Sequence, residues 1–138
     1  MDKMIKIFTD GGARGNPGPA AAAFVVKDKE KILFRQGRFL GTATNNVAEY
    51  QAVVLALRWL VVNDQPPLAE VINFYLDSLL VVSQLNGRYK IKDKKLQELA
   101  VTVRGLEKEL NSRVNYAHIA REKNYLADKL VNQILDDL

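Results

Sequence analysis

The sequence has no cysteine, a single histidine (His118) and no uninterrupted apolar stretch of membrane-spanning length. Without cysteine there are no disulfides and no thiolate metal site, which fits a reducing cytoplasm. A membrane helix needs roughly 18 or more apolar residues, and none is present. The N-terminus carries no secretory signal pattern. There is no G-x-x-x-x-G-K-[ST] phosphate loop and no G-x-G-x-x-G fingerprint. No Ser or Cys triad is convincing, and there is no long linker or low-complexity tract. What is present is a chain of 138 residues, 48% hydrophobic, with a formal net charge of +4. That length and composition predict one globular domain over residues 1–138 with a real core. The mild charge alone does not establish a nucleic-acid partner. Its distribution says more: Arg88, Lys90, Lys92, Lys94 and Lys95 face only Asp93 within one short segment, whose net charge of +4 equals that of the whole chain.

The chain is organised around two similar runs. Ile5-Lys6-Ile7-Phe8-Thr9-Asp10 is β-branched and aromatic, then breaks into Gly11-Gly12-Ala13-Arg14-Gly15-Asn16-Pro17-Gly18-Pro19. This reads as a strand entering a turn. Val71-Ile72-Asn73-Phe74-Tyr75-Leu76-Asp77-Ser78 repeats the pattern, again with Asp five residues after Ile. Each aspartate alone is an ordinary turn residue. If the two runs pair as parallel strands in register, about 4.8 Å apart, Asp10 and Asp77 stand side by side. Two bare carboxylates that close repel, and one is driven to protonate. A divalent cation removes the conflict, and an all-oxygen donor set suits Mg²⁺ or Mn²⁺ rather than zinc.

In order, the pattern predicts strands over Met4–Asp10, Ala20–Val26 and Ile32–Leu40, and a loop over Gly41–Asn46. A helix follows over Val47–Val62, with Ala48, Ala52, Leu55 and Trp59 at helical spacing. Asn46 and Glu49 fit an N-cap and its capping-box partner. Asn63-Asp64-Gln65-Pro66-Pro67 reads as a helix stop. Val71–Leu76 is a strand, and Ser78 caps a short helix that ends at Asn86-Gly87. Leu96, Leu99, Val103, Leu106 and Leu110 mark another helix. Arg113–His118 is the last strand. Asn124 then caps a helix that turns Ala127, Leu130, Val131, Ile134 and Leu138 inward. The expected architecture is α/β, a five-stranded mixed sheet in the order 3-2-1-4-5 with helices on both faces. Glu49 and Asp128 both fall in predicted first helical turns, where acids meet the positive end of the helix.

Four acids at four matching element ends are less ordinary than any one of them. Thr9-Asp10-Gly11-Gly12, Arg14-Gly15-Asn16-Pro17-Gly18, Thr44-Asn45-Asn46-x-x-Glu49, Asp77-Ser78, and His118 ten residues before Asp128 in Ala127-Asp128 together resemble type 1 ribonuclease H, the ribonuclease HI family. The resemblance covers essentially the whole chain. It implies a five-stranded mixed sheet with the first strand central, and a metal-dependent endonuclease that hydrolyses the RNA strand of RNA–DNA hybrids. Two Mg²⁺ ions, replaceable by Mn²⁺, would be held by Asp10, Glu49, Asp77 and Asp128. Products would carry 5′-phosphate and 3′-hydroxyl ends. By the same resemblance His118 assists proton transfer or product release, and Asn16, Asn45 and Asn46 contact the minor groove. Their amides can bond a 2′-hydroxyl, the group that distinguishes RNA from DNA.

The chain departs from the family in three places. Ala20–Ala23 stands where many members are glycine-rich. Thr42 and Asp93 fall near positions that in some members bind a DNA-strand phosphate; Asp93 would repel one, while Thr44 can still serve. There is no room between Asn86 and Leu96 for the basic protruding helix of many bacterial members; Arg88–Lys95, in which Lys90, Lys92 and Lys94 alternate at extended spacing, either takes over part of its substrate contacts or is only a solvated loop. No obligate protein partner is evident and a monomer is expected. Two other readings fit the same fold: a catalytically weak module that binds hybrid or duplex RNA, and a DNA-directed nuclease.

Overall fold

The two Asp-ended runs are neighbours. In the computed structural model, which describes residues 3–63 and 69–138, the first run is strand β1 (Met4–Ala13). The next two strands are β2 (Gly18–Asp28) and β3 (Lys31–Ala43). The second run is β4 (Val71–Leu76), and β5 (Arg113–His118) completes one sheet in the order β3-β2-β1-β4-β5. β1 pairs antiparallel with β2 and parallel with β4, so the sheet is mixed. Its β1–β4 register runs from Met4 opposite Val71, through Ile5 opposite Ile72, to Phe8 opposite Tyr75. Carried two residues further, that register sets Asp10 opposite Asp77.

Helices cover both faces. α1 (Asn45–Asn63) is apolar on most of its circumference, as a helix covered on more than one side must be, and exposes only Asn45 and, toward its end, Arg58, Val62 and Asn63. It lies between the sheet and α3 (Lys94–Lys108), with α2 (Leu79–Leu85) alongside. Ile5, Ile7, Phe24, Ile72 and Phe74 pack there against Tyr50, Val53, Leu57 and Leu60 of α1 and Leu99 and Val103 of α3. α4 (Tyr125–Asp136) packs on the opposite face, where Val131 and Leu135 meet Ala21 and Ala23. β2 is therefore buried on both sides: Ala22 faces α1 while Ala21 and Ala23 face α4. Packing overrides the helical preference of four successive alanines, and small side chains keep β2 thin between two helices.

Several boundaries differ from the sequence reading, each for a local reason. β1 continues past Asp10 to Ala13 because Gly11, Gly12 and Ala13 keep pairing with Ala22, Ala21 and Ala20. The expected loop Gly41–Asn46 is strand through Ala43 and helix from Asn45. The cap of α1 is Thr44 rather than Asn46: its Oγ1 accepts from the Val47 N–H at 3.2 Å. Glu49 thus lies beyond the first turn. Ser78 caps α2 as expected, accepting from the Val81 N–H at 3.3 Å. Asp93 caps α3, accepting from Leu96 at 3.0 Å, so Lys94 begins a helix and does not continue the extended alternation of Lys90 and Lys92. Leu138 lies past α4 and is exposed rather than inward. The helix stop at Asp64–Pro67 lies outside the described residues. Among the described residues, no helix is long and apolar enough to cross a membrane.

Candidate active site

Glycine brings the acids together. A Cβ on Gly11 would sit 2.2 Å from the carbonyl carbon and oxygen of Ala48, so only glycine lets β1 press this closely on the start of α1. That approach delivers Glu49 to the strand, where its Oε1 accepts from the Gly11 N–H at 3.4 Å. Asp10 arrives on the strand itself, and Asp77 stands immediately after β4. One carboxylate oxygen from each of Asp10, Glu49 and Asp77 lies within 4.8 Å of the others. Asp128, in the first turn of α4, lies outside that trio. It lines the same cleft of about 480 Å³, and its charge acts on Asp10.

Burial and mutual repulsion control the charge of this group. Asp10 is pushed from 3.8 to about 7, first by burial and then by the charge of Asp77, with Asp128 acting in the same direction. Glu49 is raised well above its ordinary value, again by burial first and by Asp10 second. Of the two arginines lining the cleft, Arg14 is committed to Asp136 at 2.6 Å, and Arg121 is exposed. Glu49 Oε2 is buried with no hydrogen-bond partner. Such an orphaned acceptor is costly unless something positive meets it. Carboxylate oxygens without nitrogen or sulfur ligands are a donor set for a hard divalent cation. The residues therefore fit a metal.

Of the remaining sequence-derived residues, Asn45 and Asn46 line this cleft, Asn16 and Thr44 border the depression beside it, and Lys90, Lys92 and Lys94 line neither. His118 ends β5 at the rim, and its Nε2 lies 3.2 Å from the Asp77 carbonyl oxygen. Asn16 and Asn45 knit the β1–β2 turn to α1. Asn16 Oδ1 accepts from the Asn45 N–H at 2.9 Å, and Asn45 Oδ1 accepts from the Ala13 N–H at 2.8 Å. Each uses its carbonyl oxygen to accept a backbone N–H. Asn46 lines both the acid cleft and an adjoining depression of about 470 Å³. Thr42, Thr44, Asp93 and Lys95 border that depression too. Lys90, Lys92 and Lys94 are exposed beyond α2, with Ile91 between the first two packed toward the core.

Two residues at the site were not found by sequence reasoning. Asn124 was expected to cap α4, but its side chain makes no capping bond. Its Nδ2 donates instead to the Thr9 carbonyl at 2.8 Å and to Asp77 Oδ2 at 3.1 Å. Its position one turn before Asp128 was the available signal. Asn132, one turn after Asp128, donates to Asp128 Oδ2 at 3.2 Å and accepts from Arg14 at 3.4 Å.

Comparisons with known proteins match both the sequence and the fold. A family model described as reverse transcriptase-like matches residues 8–134. A bifunctional protein of Mycobacterium tuberculosis is 38% identical over 135 residues, 96% of this chain but 35% of the relative. The chain thus spans about a third of the length of the mycobacterial relatives it matches. Ribonuclease HI of Vibrio cholerae is 30% identical over 151 residues, 99% of this chain and 92% of the relative. Among solved structures, LC11-RNase H1, isolated from compost, was solved in complex with an RNA/DNA hybrid. It matches with a TM-score of 0.89 at 40% identity and covers 94% of either chain.

Proposed function

The chain belongs to the ribonuclease HI family, and from that premise we propose that it is a metal-dependent endonuclease hydrolysing the RNA strand of RNA–DNA hybrids. The carrying observation is the Asp10–Glu49–Asp77 cluster, with Asp10 and Glu49 buried and Asp77 half-exposed, in which one oxygen of each acid lies within 4.8 Å of the others. Asp10, Glu49, Asp77 and Asp128 are its metal-binding acids, with two Mg²⁺ ions as the cofactor and Mn²⁺ as a substitute. Bound there, such a pair supplies activation of the attacking water and stabilisation of the leaving oxygen in an in-line displacement at phosphorus, leaving 5′-phosphate and 3′-hydroxyl ends. Residues 1–138 act as one catalytic domain, a reading supported by the family match over residues 8–134. The protein works as a monomer in the cytoplasm.

The chain's own residues supply binding and orientation. Asn16 and Asn45, with their carbonyl ends fixed by backbone N–H groups, present NH₂ donors toward 2′-hydroxyls. Asn46 continues that row between the two depressions. Thr44 Oγ1 accepts a bond as the cap of α1 and keeps its proton to donate to a DNA-strand phosphate. Asp93 faces that phosphate position, but its carboxylate is engaged by the start of α3, and Lys95 borders the same depression. Lys90, Lys92 and Lys94 hold the hybrid backbone. His118, hydrogen-bonded to the Asp77 backbone at the rim, transfers a proton or assists product release. The presence of all four acids argues against a silent binding module.

The test is a cleavage assay with Mg²⁺ on labelled RNA–DNA hybrid, double-stranded RNA and double-stranded DNA. Cutting of the hybrid in its RNA strand is expected, with none inside a run of 2′-deoxy residues. Asp10→Asn and Asp77→Asn should each abolish it while still binding hybrid. Near-normal turnover in either variant at saturating Mg²⁺, or equal cutting of the DNA duplex, would refute the assignment.

A further inference from the structure

The acids of this site need something to hold them as well as something to neutralise them. Asp77 follows the end of β4, half-exposed, and faces the like charge of Asp10. Left alone, its carboxylate gains by swinging out toward water. The contact opposing that swing comes from a distant part of the chain. Asn124, 1% exposed, donates from one amide nitrogen to Asp77 Oδ2 and to the carbonyl of Thr9. Thr9 is the residue before Asp10. An amide NH₂ carries two hydrogens, so each acceptor takes its own. One nitrogen thereby ties the backbone that carries Asp10 to the carboxylate of Asp77.

Two features argue that this arrangement serves the site rather than the fold alone. Asn124 Oδ1 is buried without a partner, and so is the neighbouring Thr9 Oγ1. The side chain also leaves the start of α4 without a capping bond, although asparagine is among the best caps. An asparagine placed for stability would cap the helix and satisfy both ends of its amide. The donor is also uncharged. A lysine or arginine there would orient Asp77 but cancel the charge that a cation needs, whereas an amide fixes direction and leaves the charge intact.

We infer that Asn124 is a positioning residue of the metal site, fixing the Asp77 carboxylate against the Asp10 strand so that the two acids meet one cation. The inference rests on the metal-dependent reading above. Groups that orient ligands in this way are typically worth about 10- to 100-fold in metal affinity or activity.

The experiment measures Mn²⁺ binding by calorimetry in the parent, Asn124→Ala, Asn124→Ser and Val103→Ala, with thermal unfolding and hybrid-cleavage kinetics beside it. Val103 is fully buried in α3, away from the cleft, and controls for lost stability. Serine keeps a polar hydroxyl but is too short to reach Asp77, and it decides the matter if the alanine variant does not fold. Both Asn124 variants should bind Mn²⁺ at least about tenfold more weakly. Their kcat should fall with KM for hybrid unchanged, and part of the loss should return at high metal concentration. Val103→Ala should unfold at lower temperature with parental Mn²⁺ affinity. A folded Asn124 variant with parental Mn²⁺ affinity and kcat would overturn the inference alone. A parent that bound no Mn²⁺ would overturn the metal site and the inference together.

Discussion

Removing a charge from the acid cluster should stabilise the metal-free protein, and the pH dependence of that gain can be worked out in advance. Asp10 is 6% exposed and is pushed from 3.8 to about 7 by burial and by its acidic neighbours. In the unfolded chain it ionises at its ordinary value. Between these two values the unfolded state has lost a proton that the folded state still holds. Unfolding therefore releases a proton there, and stability falls as pH rises. At about 1.4 kcal/mol per pH unit, the full loss above pH 7 is roughly 4 kcal/mol. It is shared with Glu49, whose value moves the same way. Asp10→Asn removes the group that titrates. In EDTA, the variant and parent should unfold at similar temperatures near pH 4. The variant should pull ahead as pH rises to about 7, by on the order of 10 °C for a chain of this size, and the gap should stay constant above that. Saturating Mg²⁺ should raise the melting temperature of the parent more than that of the variant and so close the gap. Differential scanning calorimetry across pH 4–8.5 makes the measurement. A gap that did not change with pH, or a variant less stable than the parent at pH 8, would refute the reasoning.

Three further outcomes follow from the same geometry. Gly11→Ala sets a methyl 2.2 Å from the Ala48 carbonyl, so β1 must leave α1; stability should fall by about 3 kcal/mol or more, as severe overpacking does, and activity should fall with it. A urea midpoint equal to the parent's would contradict this. His118→Ala should lower kcat by roughly 10²- to 10⁴-fold, the usual worth of proton-transfer assistance, without abolishing cleavage; parental turnover would make the histidine structural. The triple change Lys90/Lys92/Lys94→Ala should weaken hybrid binding mainly at low salt and reduce the log–log salt slope by about one per lost phosphate contact, leaving kcat unchanged. Parallel binding lines with equal affinity would leave that segment only a solvated loop.

The strands that carry Asp10 and Asp77 were legible because backbone periodicity and the point where an apolar run stops are local properties. Equal spacing from Ile5 and Ile72 was enough to anticipate the register, which the strand pairing then supplies. Glu49 was harder. Its local surroundings read as a capping box, yet Thr44 is the cap and Glu49 reaches β1 through a contact 38 residues away in sequence. Asn124 was misread for the same reason. An asparagine before a helix has an ordinary local use, and only the packed chain shows that its amide points at a residue 47 positions earlier. Polar side chains with two plausible employers are where sequence patterns lose their force.

The acids of the cleft come from β1, α1, the end of β4 and α4, at positions 10, 49, 77 and 128. No contiguous stretch of the chain contains a usable pair. Loss of β1, α1 or the end of β4 takes one acid out of the converging trio. A cation held by that trio therefore binds only while these three elements are assembled and resists their separate openings as well as complete unfolding. In native-state hydrogen exchange, metal should slow the amides of β1, α1 and β4 by a common factor, merging regions that otherwise open separately into one cooperative unit.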